Sequence, residues 1–273
     1  MRPIKDIYGP KAVVLGASEG IGRAFAEELA RRGFQLLLAS RRPGPLNAAA
    51  DELRALGAAV DTLPLDLAEP DPWPRIAGAL GNGDWGLLVY NAAASPIGPF
   101  LDLSLEAARR TVSVNVASPL DVVHGAGNAL RARHAATGRR GGIILLSSLS
   151  GLRGTPNVSA YAATKAWSIV LAEGAGAEMR REGVDMLACV AGATDTPGFR
   201  DSVTGKGPGA PVQPPQAVVR AALGGLGRRH VAIPGLGNRL IAGLMYGLLP
   251  RRWATAVLGR ATAGLRRRDD AGR

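Results

Sequence analysis

The chain has 273 residues, 47% of them hydrophobic and only 4% aromatic, enough for one α/β domain with a core on both faces of a sheet. Its single cysteine, Cys189, excludes an internal disulfide and a cysteine-based metal site and fits a reducing, cytoplasmic setting; the polar opening MRPIKDIYGPK has no apolar core of a secretory signal. The formal charge of +11 is concentrated in residues 228–273, which hold ten arginines against two acids and suit membrane phosphates, an acidic carrier or an anionic substrate unless they are simply solvated; the lack of interleaved aromatics to stack on bases argues against nucleic acid.

Lys11 to Gly16 (KAVVLG) reads as a short buried strand, and Ile21 to Arg32 as a helix with one apolar face, closed by Gly33. Phe34 to Ala39 is a second apolar run, followed by a helix around Leu46 to Leu56. Ala59–Leu63, Trp85–Tyr90, Gly142–Ser147, Val184–Val190 and His230–Ile233 complete about seven strands, nearly all separated by helical stretches. Such alternation requires crossovers, and the unbroken apolar strands require cover on both sides. The expectation is a doubly wound parallel sheet of the Rossmann type.

Residues 1–234 are expected to form the catalytic domain. The proline- and glycine-rich stretch Pro197 to Pro215 reads as one irregular segment and, lying beyond the sixth strand, as a substrate lid. Residues 235–273 form a basic amphipathic extension in which Leu236, Leu240, Leu244 and Leu248 recur every four residues beside Arg239, Arg251 and Arg252. Broken by Gly243 and Gly247 and stopped at Pro250, this stripe is too short to span a bilayer. Packing against the domain or a second subunit is expected, with peripheral membrane contact as the alternative.

Gly16-Ala-Ser18-Glu-Gly20-Ile21-Gly22 joins the first strand to the first long helix, where backbone N–H groups attract phosphate and missing side chains let a pyrophosphate approach. The second strand ends in Ser40 and Arg41 rather than in an acid. That pair suits a ribose 2′-phosphate, so NADP(H) is favoured over NAD(H). Tyr161 and Lys165, four apart, share one helical face. An ammonium at about 4 Å from a phenol, with an effective dielectric near 20, favours phenolate by roughly 4 kcal/mol, at most about 3 pKa units.

These motifs appear in order with Asp66-Leu67, Asn91-Ala92-Ala93, Asn115 and Ser147-Ser148, and the whole series resembles the short-chain dehydrogenase/reductase family from about Tyr8 to Ile233. The resemblance implies that Ser148 holds the substrate oxygen, Tyr161 exchanges a proton with it, Lys165 holds the nicotinamide ribose and lowers the phenol, and Asn115, in a long central helix, fixes a water leading to Lys165. It implies further cofactor contacts from Gly16, Ser18, Gly20, Ile21, Gly22, Asp66, Leu67, Asn91, Ala92, Gly192, Thr194 and Thr196, and pairing of subunits as a homodimer or homotetramer. Leu15, Tyr90, Ala93 and Ala191 depart from the family pattern, near the cofactor and away from the proton-transfer groups.

The opening Tyr8-Gly9-Pro10-Lys11 and the tail around Pro234 and Pro250 are similar to reductases of 3-oxoacyl thioesters and steroid-like ketones, so a lipophilic carbonyl or alcohol is the expected substrate. The competing readings are an NADP(H)-binding regulator without turnover and a membrane-surface scaffold. His124, His134 and His230 lack metal-ligand spacing, and no metal is expected. Cys189 reads as a small buried hydrophobe, and Asp102 and Glu106 as the caps of a helix start.

Overall fold

The structure, a computed structural model, describes residues 3–203 and 211–266, with the side chain of residue 246 also outside the description. A short helix α1 (Ile4–Tyr8) precedes β1 (Lys11–Leu15), α2 (Gly20–Arg31), β2 (Gln35–Ser40), α3 (Pro43–Ala55), β3 (Val60–Pro64), α4 (Pro72–Leu80) and β4 (Trp85–Tyr90). Then come α5 (Leu105–Val112), a π turn (Ser113–Ala117), α6 (Ser118–Thr137), β5 (Gly141–Ser148), α7 (Ser159–Arg181) and β6 (Val184–Ala191). The chain continues through α8 (Pro197–Ser202), α9 (Pro215–Gly225), β7 (Val231–Ala232), α10 (Leu236–Gly243), a second π turn (Leu244–Leu248) and α11 (Arg251–Thr262). The strands form one parallel seven-stranded sheet in the order β3-β2-β1-β4-β5-β6-β7, with the direction of winding reversing between β1 and β4. The expected doubly wound sheet is therefore present, and the reversal opens a crevice at the carboxyl ends of those two strands.

Each strand feeds both faces because successive side chains point to opposite sides. Ala12 and Val14 of β1 join one core with Phe25, Leu29 and Val218, while Val13 and Leu15 join the other with Ile76, Val122 and Ile169. A fully buried aliphatic side chain of this kind contributes about 1.5–3 kcal/mol. At the amino ends of the strands the Tyr8 hydroxyl donates to Asp185 Oδ2 at 2.8 Å, and Arg140 grips both oxygens of the same carboxylate at 2.8 and 2.7 Å. This buried lock ties α1 and the start of β5 to the start of β6.

Four expectations need correction. Asp102 lies in a 3-10 turn, and α5 is capped by Ser104, whose hydroxyl accepts the Ala107 N–H at 3.1 Å; Glu106 sits in the first turn. Asn115 stands in the π turn between α5 and α6, not within an unbroken helix. The segment from Pro197 is not wholly irregular: Thr196 caps α8 by accepting the Phe199 N–H, and proline is well suited to a first helical turn. Within the expected lid, residues 204–210 lie outside the described residues. Finally, the leucine stripe does not pack on the domain. Asn238, Ala242 and Met245 face inward, leaving Leu236, Leu240 and Leu248 at 76%, 75% and 80% exposure. The last seven residues of the extension, 267–273, lie outside the described residues.

Candidate active site

The turn after β1 is shaped by what its glycines exclude. Gly16 has φ 82°, and a Cβ there would come 2.6 Å from the Ala92 nitrogen. At Gly22 a Cβ would meet the Gly16 carbonyl oxygen at 2.0 Å and Asn91 Nδ2 at 2.6 Å. Asn91 closes the cradle by donating from Nδ2 to the Gly16 carbonyl at 2.9 Å, and the N–H groups of Asn91 and Ala92 both go to the Leu15 carbonyl. Gly20 opens α2 directly over this turn, and the methyl of Thr196 lies 3.1 Å from where its Cβ would be. The loop after β6 thus reaches back to the glycine turn. A backbone cradle at a helix start, stripped of side chains, fits the pyrophosphate of a dinucleotide.

Ser40 and Arg41 lie at the far rim, where the Ser40 hydroxyl donates to Ser18 Oγ at 3.0 Å and Arg41 is exposed. Asp66 stands beside them. Burial raises its carboxyl, but the Ala68 N–H and the Arg110 guanidinium, with the charge of Arg41, outweigh burial and hold it below the usual carboxylate range. Arg110 Nη2 contacts both Asp66 oxygens, at 3.0 and 2.9 Å. Arg110 was not picked out from the sequence, because nothing in its spacing distinguishes it from a surface arginine of α5. Ile21, partly buried at the start of α2, packs against one core, and Leu67 lies in the other.

Ser148 ends β5, and Tyr161 and Lys165 open α7 directly behind it. The Ser147 hydroxyl donates to the Lys165 carbonyl at 2.7 Å, fastening helix to strand. Ser148 Oγ accepts from the N–H and the hydroxyl of Ser150. Lys165 Nζ lies 5.5 Å from the Tyr161 ring centre and donates to the Leu146 carbonyl at 2.7 Å. Burial raises Tyr161 above its ordinary value, and the hydrogen bond with the Ser148 hydroxyl opposes this only in part. Burial also pushes Lys165 down to about 8. The cavity of about 770 Å³ between Leu152, Ala166, Val170 and Thr255 is lined by none of Ser148, Tyr161 and Lys165.

Asn115 is tied to two places. Its side chain accepts the Ala94 N–H at 2.9 Å and donates to the Ala94 carbonyl at 2.8 Å and to Thr164 Oγ1 at 3.0 Å. The π turn that carries it is held by Tyr90, whose hydroxyl meets the Val114 carbonyl at 2.6 Å and Ser118 Oγ at 3.0 Å. Tyr90 is fully buried and stays protonated. Beyond β6, Thr194 Oγ1 donates to the Gly192 carbonyl at 2.9 Å, and the backbone of Gln213 pairs with Ala193 and Asp195. Asn238 of α10 was also missed: it is buried against Gly192, donates to the Pro234 carbonyl, and its Oδ1 has no hydrogen-bond partner among the described residues. Asn238 lies on the face opposite the leucine stripe, where the periodicity of the leucines carries no signal for it.

A family profile described as short chain dehydrogenase matches residues 10–206. The chain belongs to the short-chain dehydrogenase family. Its curated relatives include a 7β-hydroxysteroid dehydrogenase of Clostridium sardiniense, 30% identical over 86% of this chain and 89% of that one. Among solved structures, one of a 7β-hydroxysteroid dehydrogenase superposes with a TM-score of 0.84 at 26% identity, over 94% and 99% of the two chains. A short-chain dehydrogenase from Sphingobium yanoikuyae in complex with NADPH gives 0.73 at 29% identity, over 88% and 97%. As a member of this family the protein is an NAD(P)-dependent oxidoreductase.

Proposed function

We propose that this short-chain dehydrogenase reduces a lipophilic ketone, or oxidises the matching secondary alcohol, using NADP(H) and Tyr161 as the acid and base. The observation that carries this reading is the gathering of Ser148, Tyr161 and Lys165 at the carboxyl end of β5, on the sheet edge that also bears the glycine cradle. The dinucleotide, when bound, supplies the hydride. Gly16, Ser18, Gly20 and Gly22 would receive its phosphates, Asp66 and Asn91 its adenosine side, and Gly192, Thr194 and Thr196 its nicotinamide side. Ser40 and Arg41 support the phosphorylated form, since β2 ends without an acid and with an exposed guanidinium.

In the reductive direction Ser148 hydrogen-bonds the carbonyl oxygen and stabilises the charge growing there. Tyr161 gives that oxygen its proton as the carbon becomes tetrahedral. Burial favours the protonated phenol, the form that can donate. Lys165, pushed down to about 8, returns a proton to the phenolate near neutral pH and is itself reprotonated from solvent. Asn115 holds α7 at Thr164 and so fixes the Tyr161–Lys165 face.

The steroid-dehydrogenase relatives favour a bulky apolar ketone. A second group of relatives, including a very-long-chain 3-oxoacyl-CoA reductase of Pyricularia oryzae, 32% identical over 81% of this chain, favours a 3-oxoacyl thioester. A silent regulator would be expected to lack one of Ser148, Tyr161 and Lys165, and all three are present. The test is NADPH oxidation with a panel of steroid ketones and 3-oxoacyl thioesters, for wild type and Tyr161→Phe. Loss of turnover by a factor of about 1000 with NADPH binding retained is expected; a fully active Tyr161→Phe enzyme overturns the mechanism.

A further inference from the structure

We propose that the outer face of α10 and the π turn after it is a docking surface for an anionic lipid bilayer. Leu236, Leu240, Leu244 and Leu248 are 76%, 75%, 45% and 80% exposed along this one short segment, and Trp253 follows at 56%. Exposed apolar residues scattered singly need no explanation, but four leucines in register on one helical stretch do. The domain does not cover them, because the segment already packs on it through Asn238, Ala242 and Met245.

Charge decides between a second copy and a lipid surface. From Arg228 to Arg268 the sequence holds nine arginines and no acid. Among them, Arg239 lies within α10, and Arg251 and Arg252 follow the stripe directly, all exposed. A two-fold pairing of this face with itself would set guanidinium against guanidinium with no carboxylate of the segment to answer. A bilayer with anionic headgroups answers both features: leucines enter the acyl boundary, arginines meet phosphates, and Trp253 suits the interface between them. No helix among the described residues is long and apolar enough to cross a membrane, so contact along the surface is the geometry that fits.

The test is co-sedimentation of the full chain with vesicles of neutral phosphatidylcholine, or of phosphatidylcholine with phosphatidylglycerol, at low and high salt. Two variants accompany it, Leu240→Gln with Leu248→Gln and Arg239→Gln with Arg252→Gln, all at exposed positions away from the reacting groups. Binding is expected on anionic vesicles alone and is expected to fall in high salt. Loss of the two leucines should weaken it more than about tenfold, and loss of each arginine about fivefold. Equal binding to neutral vesicles, or none to either, overturns the proposal. So does a drop in subunit count by light scattering in the leucine variant without any vesicle binding, which would assign the face to a second copy.

Discussion

Tyr90 and Val114 are joined by a 2.6 Å hydrogen bond that repairs a gap in the backbone. In the π turn the Ser118 N–H goes to the Ser113 carbonyl, and the next residue, Pro119, has no N–H to give. The Val114 carbonyl is therefore left without a helical partner in a buried place, and the Tyr90 phenol supplies one. Having a single proton, that phenol donates to Val114 and accepts from Ser118. A residue that departs from the family pattern is here a strut for the turn that bears Asn115.

Tyr90→Phe should cost about 2 kcal/mol of stability, since it strands the Val114 carbonyl away from water. It should also lower kcat about tenfold with little change in NADPH affinity, because Asn115 and Thr164 lose their fixed relation. Denaturant unfolding and steady-state kinetics check both. A lower midpoint with unchanged kcat would reduce Tyr90 to a packing residue.

Gly192→Ala should disable the enzyme through a clash, with the new methyl 2.5 Å from Asn238 Oδ1. The expected loss is about 2 kcal/mol. Adding Asn238→Ala makes room and should recover part of it, giving a coupling of about 1–2 kcal/mol in a double-mutant cycle. Additive losses would mean that α10 does not press on the end of β6.

The lowered pKa of Lys165 makes stability depend on pH in a definite direction. Between about 8 and its ordinary 10.5, the unfolded chain holds a proton at this position that the folded chain does not. Folded wild type should therefore gain stability relative to Lys165→Met as pH rises through that window, approaching about 3 kcal/mol. Urea unfolding of both proteins at about pH 7.5 and pH 10 reads the difference, and a gap that does not change with pH would contradict a buried, depressed ammonium.

Arg41→Ala should raise the KM for NADPH by about tenfold or more and leave that for NADH nearly unchanged, as removal of one charge-assisted phosphate contact implies. Parallel losses for both cofactors would place the guanidinium elsewhere on the adenosine.

The strands, the glycine turn and the Tyr161–Lys165 pair were legible because each is local. KAVVLG and WGLLVY can only be buried on both sides, and residues four apart on a helix must share a face. What was not legible depends on meetings across the fold. Arg110 finds Asp66 across 44 positions, and Asn238 finds Gly192 across 46. Neither pairing leaves a trace in spacing. The spacing puts the Lys165 ammonium beside the Tyr161 ring, but it does not disclose that a strand carbonyl, Leu146, also accepts from its tip. The leucine stripe is legible as a periodic face, but periodicity does not say whether such a face is covered.

The lock of Tyr8, Arg140 and Asp185 sits at one end of β5 and β6, and Ser148 at the other. Tenacity and the proposed chemistry thus fall at opposite poles of the same two strands. Laboratory evolution under heat should accumulate its changes near the first pole, and evolution toward new ketones near the second, with little trade between them.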